Sequence, residues 1–164
     1  MSVHPQPEGL HRLLLDPGYW RNRLEAMGRV PRSLLLFPRP DLGHPGVEVL
    51  ELHLRGHDGH RLRAVLARSV FRREGTSTRL RLATTGRSEE LDWSRIEEGA
   101  ADLVFESDVS RRLEDRVLDV LRLVTCAATL EGLEQERIEL MPENRREAAD
   151  ELLIAQALRD EHLC

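Results

Sequence analysis

The sequence predicts a single α/β domain in which an N-terminal hairpin leads into a mostly parallel sheet, with helices mainly on one face. The chain has 164 residues, a length that suits one compact core. After the hairpin, strand-like and helical segments alternate, which favours parallel strands joined by right-handed crossovers. Apolar and arginine residues alternate along these strands, whereas strands covered on both faces read as continuous apolar runs. One face of the sheet is therefore expected to be polar.

Residues 1–46 are expected to form an arm that wraps the remaining domain, residues 47–164. Short apolar patches in this arm are interrupted by Pro17, Pro31, Pro38, Pro40 and Pro45. A short helix is predicted over residues 19–27. The arm is followed by a hairpin, with strands at 47–54 and 61–67 and a tight turn at His57-Asp58-Gly59.

Two more strands are predicted at 78–83 and 101–106, separated by a polar segment that forms a short helix over residues 88–98. Ser88 precedes acidic residues, which is typical of a helix N-cap rather than of a nucleophile. A fifth strand is predicted at 137–141.

Apolar residues at helical spacing predict two longer helices. The first covers 110–130 and ends before Gly132; the second covers 145–158. Both are expected to pack together on one sheet face. The apolar positions are Leu113, Val117, Val120, Leu121, Val124 and Ala128 in the first helix, and Ala148, Ala149, Leu152, Leu153 and Ala155 in the second.

The polar side of the strands defines the arginine face, which is the candidate partner-binding surface and comprises Arg61, Arg63, Arg79, Arg81 and Arg137. The alternative is a solvated surface without a function, as in many antiparallel sheets. Because these side chains are expected to face solvent, reversing the charge of Arg79 and Arg81 should leave folding intact.

Composition excludes several classes of function. The formal net charge is -5, so a global attraction to nucleic acid or to an anionic membrane is not expected. The sequence contains no lysine, which rules out Schiff-base chemistry and a P-loop lysine. The two cysteines, Cys126 and Cys164, provide no disulfide framework, and no segment has the length and apolarity of a membrane span or an export signal. A cytoplasmic protein is expected.

The segment 137–147 is a strand that turns into a helix, the position at which a hydrolase carries its nucleophile. A nucleophile elbow requires G-x-S-x-G, because the strained turn leaves room only for glycine beside the serine. Here Pro142, Asn144 and Arg146 occupy the three motif positions. A carboxamide does not supply the attacking oxygen, so the pattern favours binding or assembly over catalysis.

Taken in order, these segments resemble the first half of an α/β-hydrolase of the acetyl xylan esterase-like branch. The resemblance rests on Tyr19-Trp20 before a helix, the Asp58-Gly59 turn between two strands, and three later strands at 80–86, 103–111 and 136–140. In the family, the third strand ends at the oxyanion hole and the fourth ends at an aspartate-arginine turn, similar to the turn from Asp108 to Arg111 here.

The resemblance implies a degenerate, shortened relative, because Asn144 falls on the nucleophile position and the later strands that carry the family's acid and histidine are not in this sequence. The fifth strand is an inner strand in the family, and here it would be left with an unpaired edge that proteins normally cover.

Histidines and an aspartate cluster around the hairpin turn, at His53, His57, Asp58 and His60. A zinc site is one interpretation of this cluster, and a polar hairpin tip is the one preferred. No metal or cofactor is therefore predicted.

The leading hypothesis is a noncatalytic interaction or assembly subunit that binds another protein or forms a homodimer across the exposed edge of the fifth strand. The alternatives are an esterase-type hydrolase half completed by another chain, an enzyme site built from Asp108, Arg111 and the histidines, and a module that binds anionic ligands through the arginine face.

Overall fold

The computed structural model of the protein describes residues 17–71, 77–83, 89–108, 110–130, 133–140 and 150–160. These ranges contain four α-helices and six strands. The helices are α1 (Pro17–Gly28), α2 (Trp93–Glu97), α3 (Leu113–Ala127) and α4 (Asp150–Asp160). The strands are β1 (Leu34–Pro38), β2 (Val47–Arg55), β3 (Arg61–Ser69), β4 (Thr78–Ala83), β5 (Ala101–Glu106) and β6 (Ile138–Glu139).

The strands form one mixed sheet in the order β1-β2-β3-β5-β4-β6. The pairs β1–β2, β2–β3 and β3–β5 are antiparallel, whereas β5–β4 and β4–β6 are parallel. Strands β2, β4, β5 and β6 therefore run in one direction, and β1 and β3 run in the other. This arrangement confirms the predicted α/β class and the hairpin that leads into a parallel region.

The hairpin forms at the predicted turn, where Gly59 adopts a positive φ of 82° that favours glycine. Leu54 pairs with Leu62 and Arg55 with Arg61 across it. The structure thus confirms the hairpin and extends the predicted strands to Arg55 and Ser69.

The region expected to be a wrapping arm contributes both a core helix and a sheet strand. In α1, Trp20 is fully buried in the main core, and Leu24 and Met27 join it. The strand β1, which was not predicted, pairs along the outer side of β2 from Leu34 to Pro38. The prolines that suggested an interrupted coil are compatible with this position, because an edge strand tolerates residues that cannot donate to a ladder.

Two predicted elements have wrong boundaries, and the predicted start of a third lies outside the described residues. Helix α2 begins at Trp93 rather than at 88, and Asp92 is its N-cap, with its carboxylate accepting a hydrogen bond from the backbone N–H of Arg95 at 3.4 Å. Residues 89–92 are not helical, and Ser88 lies outside the described residues. Strand β6 covers only two residues, because a 3-10 turn occupies Gln135–Arg137. The described part of the last helix begins at Asp150, and residues 141–149 lie outside the described ranges.

The two sheet faces are covered unequally, as predicted. The larger core contains residues of α1, α3 and α4, and α3 packs against α4. On the opposite face, Ile96 of α2 packs with Val49, Val65 and Ala67 in a smaller cluster. One side-chain assignment is wrong, because Leu153 is 40% exposed. The buried residues of α4 are Glu151, Leu152, Ile154, Ala155 and Leu158.

A buried arginine joins three parts of this core. The guanidinium of Arg122 in α3 donates hydrogen bonds to the backbone carbonyl of Arg55 at 3.2 Å and to that of Met27 at 3.3 Å. It also donates to the carbonyls of Val30 at 3.1 Å and Pro31 at 2.6 Å. Arg122 therefore ties α3 to the end of β2 and to the chain leaving α1.

No described helix has the length and apolar character required to cross a bilayer. Cys126 is a buried free thiol in α3, and burial raises its pKa.

Candidate interaction surface

The arginine face lies opposite the main core, but it carries acidic residues as well. Arg63 donates from Nε to Oε1 of Glu51 at 2.7 Å and also hydrogen-bonds Glu106. Arg81 forms two hydrogen bonds with the carboxylate of Asp102, at 2.9 and 2.6 Å. Adjacent strands thus supply a carboxylate beside each of these two guanidinium groups.

Ion pairing on this face shifts the pKa values of the paired side chains. The hydrogen bond from Arg63 holds the pKa of Glu51 well below its usual range, with further hydrogen bonds from His53 and Arg39. The hydrogen bond with Asp102 raises the pKa of Arg81. This part of the arginine face is consequently a compensated ion-pair network rather than a surface of one sign.

The expectation that Arg79 and Arg81 face solvent is wrong. Arg79 is only 6% exposed. Arg81 is half-buried and holds Asp102, which is 1% exposed. A charge reversal at these two positions would place carboxylates beside a buried carboxylate, so folding is not expected to survive it unchanged.

The remaining arginines of the set occupy two different places. Arg61 begins β3 and is exposed, and its side chain makes no hydrogen bond or ion pair with the described residues. Arg137 is also exposed, but it lies in the 3-10 turn beyond β4 and pairs with Glu134 at 2.8 Å. The five arginines therefore do not form one continuous surface.

Exposed apolar side chains lie along β1, which is the edge strand on the side of the sheet that contains Arg61. Leu35 is 58% exposed, Leu36 40% and Phe37 49%. In the described part of the chain β1 pairs with β2 alone, so its outer edge has no strand partner there. Unpaired N–H and C=O groups on such an edge can accept another strand.

A groove of about 450 Å³ runs beside this edge on the polar face of the sheet. Its walls include Leu35 and Phe37 from β1, His53 and Arg55 from β2, and Arg61 from β3. The rings of Phe37 and His53 meet edge to face, with centroids 5.2 Å apart. The carboxylate of Glu51 also lines the groove, which thus combines an apolar wall with charged groups of both signs. Arg61 is the predicted partner-binding residue that it contains.

A second polar group, the turn cluster, joins the β2–β3 turn to the start of α3 and consists of His57, Asp58, Arg111, Asp115 and Asp119. Arg111 bridges Oδ2 of Asp58 at 3.0 Å and Oδ2 of Asp119 at 2.9 Å. Nε2 of His57 lies 3.1 Å from Oδ1 of Asp115. Burial raises the pKa of Asp119, and its hydrogen bond with Arg111 acts in the opposite direction.

The enzyme site considered from the sequence is assembled only in part. Arg111 and His57 both belong to the turn cluster, whereas His53 faces the groove. Asp108 accepts a hydrogen bond from the hydroxyl of Ser110 at 2.6 Å, which lowers the pKa of the carboxyl. The backbone N–H of His60 donates to Asp58 at 3.0 Å. Asn144 lies outside the described residues.

Sequence reasoning missed the two aspartates of α3 and the exposed edge of β1. A signal for Asp119 was present, because an aspartate between Val117 and Val120 interrupts the apolar stripe of a helix. The signal for β1 was the run Leu34-Leu-Leu-Phe37, whose side chains alternate between the two faces of the sheet.

No protein-family model matches the chain, and no curated protein matches it by sequence. Solved structures do match. An acetyl xylan esterase from Paenibacillus sp. R4 aligns with a TM-score of 0.62 and 13% identity, covering 74% of this chain and 49% of the esterase. Acetyl xylan esterase 1 from Thermoanaerobacterium sp. JW/SL YS485 aligns with a TM-score of 0.60 and 14% identity, covering 74% and 48% respectively.

The chain thus spans about half the length of these two esterases. At this level of identity the comparison concerns the fold, and it agrees with the resemblance inferred from the order of the strands. The chain has an α/β-hydrolase-like fold of the kind found in acetyl xylan esterases.

Proposed function

We propose that this chain is a noncatalytic, α/β-hydrolase-like assembly subunit that forms a homodimer through the outer edge of β1. The observation that carries the proposal is the row of exposed apolar side chains on that edge, Leu35, Leu36 and Phe37. An exposed apolar edge is a template on which another strand can pair. A second copy of the same edge provides such a strand with two-fold symmetry.

The sequence of β1 is suited to antiparallel pairing with itself. Leu36 is the central residue of Leu34–Pro38, so a two-fold axis beside it would place Leu36 opposite the partner's Leu36. Leu35 would then lie opposite the partner's Phe37, on the face that carries the groove. Aromatic and aliphatic side chains directly across an antiparallel pair stabilise a sheet by roughly 0.2–1 kcal/mol per pair.

Two arginines that line the groove give this edge a charged border. Arg61 is exposed at the start of β3, and Arg55 lies opposite it in the hairpin. Arg63 and Arg81 are occupied by carboxylates of their own sheet, which argues against a module that binds anionic ligands through the whole arginine face. Within the proposed interface Arg61 is a rim contact. Arg63 and Arg81 stabilise the sheet itself through their ion pairs.

The test is sedimentation velocity over a range of concentrations for the wild type, Phe37→Glu and Phe71→Glu. The wild type is expected to dimerise, and Phe37→Glu is expected to be monomeric at the same concentrations because it places a charge on the apolar edge. Phe71 is an exposed phenylalanine elsewhere on the surface, so Phe71→Glu is the matched control and should dimerise normally.

A wild type that remains monomeric, or a dimer that dissociates in Phe71→Glu rather than in Phe37→Glu, would show that β1 is not the interface. Circular dichroism of both variants establishes that any change in association is not caused by unfolding. Because the contact is largely apolar, the dimer should persist when salt is added.

The noncatalytic part of the proposal rests on the residues at the elbow positions, in particular Asn144 in place of a nucleophile. We therefore expect no hydrolysis of p-nitrophenyl acetate above the buffer rate. The alternative, an esterase-type half completed by another chain, would be favoured by turnover that copurifies with the chain and disappears in Asp108→Asn.

A further inference from the structure

We propose that the turn cluster is a zinc site in which His57, Asp58 and Asp115 are the protein ligands. One imidazole nitrogen and one carboxylate oxygen from each aspartate lie within 4.8 Å of one another. His57 and Asp58 come from the β2–β3 turn, and Asp115 comes from the first turn of α3. The site thus joins two parts of the chain that are far apart in sequence.

The donor set favours zinc over magnesium or calcium. Zn²⁺ binds histidine nitrogen and carboxylate oxygen at about 2.0–2.2 Å, whereas the harder cations prefer oxygen ligands alone. Nε2 of His57 and Oδ1 of Asp115 are 3.1 Å apart, close to the separation of two ligands on one tetrahedral ion. Three protein ligands leave the fourth position open to water.

The other nitrogen of His57 provides an independent observation. Nδ1 is buried and has no hydrogen-bond partner within the described ranges. It lies 3.9 Å from Oδ1 of the buried Asp119. A histidine that binds a metal through one nitrogen normally donates its other N–H to a carboxylate, which fixes the ring. A small rotation of His57 toward Asp119 would complete this arrangement.

The electrostatics of the cluster also favour a divalent cation. The turn cluster contains the carboxylates of Asp58, Asp115 and Asp119 but only the guanidinium of Arg111, so the carboxylates exceed the guanidinium groups by two. The neighbouring ion pair of Glu114 and Arg112 leaves this excess unchanged. A Zn²⁺ ion would balance this excess.

The backbone at Gly56 lies very close to two carboxylates of the turn cluster. A Cβ atom added to Gly56 would lie 2.9 Å from Oδ1 of Asp119 and 3.4 Å from Oδ1 of Asp58. Glycine at this position therefore lets the turn lie directly against the two carboxylates. In the proposed site the ion fastens the hairpin turn to the N-terminal end of α3, independently of any dimer formed through β1.

The experiment is isothermal titration of the metal-free protein with ZnCl₂, using the wild type, His57→Gln, Asp115→Asn and His44→Gln. We expect one site in the wild type and at least a tenfold loss of affinity in His57→Gln and Asp115→Asn. His44 is exposed and stacks on Trp93 away from the cluster, so His44→Gln should bind zinc as the wild type does.

A positioning role for Asp119 is tested with Asp119→Asn, which should retain one site but bind zinc about 10- to 100-fold more weakly. The thermal midpoint of the wild type should rise with zinc, and that of His57→Gln should not. Equal affinities for the wild type, His57→Gln and Asp115→Asn would overturn the proposal, as would the absence of zinc binding. If His57→Gln does not fold, Asp115→Asn decides the result, since the side chain of Asp115 is partly exposed.

Discussion

Replacing Arg122 with methionine is expected to destabilise the protein strongly, because this residue connects the core through its charge and not only through its volume. Arg122 is 2% exposed, and its guanidinium donates to four backbone carbonyls. Methionine is an unbranched apolar side chain that can occupy much of the space of the arginine stem but donates no hydrogen bond. The substitution therefore isolates the contribution of the guanidinium.

The magnitude follows from two opposing effects. A hydrogen bond from a charged group contributes about 1.5–3 kcal/mol, so four such bonds amount to a gross loss of roughly 6–12 kcal/mol. Removing a buried charge also removes the cost of its desolvation, which offsets several kcal/mol. The difference between these two effects is a net loss that we expect to be about 3–5 kcal/mol, because four backbone carbonyls lose a charged donor.

The assay is urea unfolding followed by circular dichroism and analysed by linear extrapolation. At about 2–4 °C per kcal/mol for a domain of this size, the thermal midpoint should fall by roughly 6–20 °C. Arg137→Met is the matched control, because Arg137 is exposed in a surface turn, and it should change stability by no more than about 0.5 kcal/mol. A loss below about 1 kcal/mol in Arg122→Met, similar to that of the control, would refute the reasoning.

Three other predictions concern the core, the polar face and acid stability. Leu121→Ala should cost about 2–5 kcal/mol by urea unfolding, since Leu121 is buried in the main core, and an unchanged midpoint would mean that the buried side of α3 is misplaced. Arg81→Glu should cost about 3–5 kcal/mol because it leaves the buried Asp102 beside a like charge, whereas Arg61→Glu should be nearly neutral in the same thermal melts. Hydrogen bonds with arginine lower the pKa of Glu51 in the folded state, so its stabilising effect is present above the unfolded pKa of about 4.3 and is lost as pH falls. Urea midpoints of the wild type and Glu51→Gln should accordingly differ at pH 6, begin to converge only below about pH 4 and continue to converge as the pH falls further toward the folded pKa; a constant difference would contradict this assignment.

Local sequence patterns were sufficient to predict much of the fold. The turn at Gly59 and the alternation of Leu62 and Arg63 determine a hairpin with one apolar side, because successive side chains of a strand point to opposite faces. The helical spacing of Val117, Leu121 and Val124 likewise determines the buried side of α3. These features depend on residues near one another in the chain, and the order of such segments was enough to indicate an α/β-hydrolase-like fold.

Only the tertiary structure decided what the polar residues do. Arg63 meets Glu106 because β3 pairs with β5 rather than with β4, and no local period specifies that strand order. In the same way, His57 meets Asp115 through packing that joins residues 58 positions apart. Whether a charged side chain is free or paired depends on these long-range contacts, so the sequence determined that one face would be polar, and the fold determined that most of its charge would be neutralised within the chain.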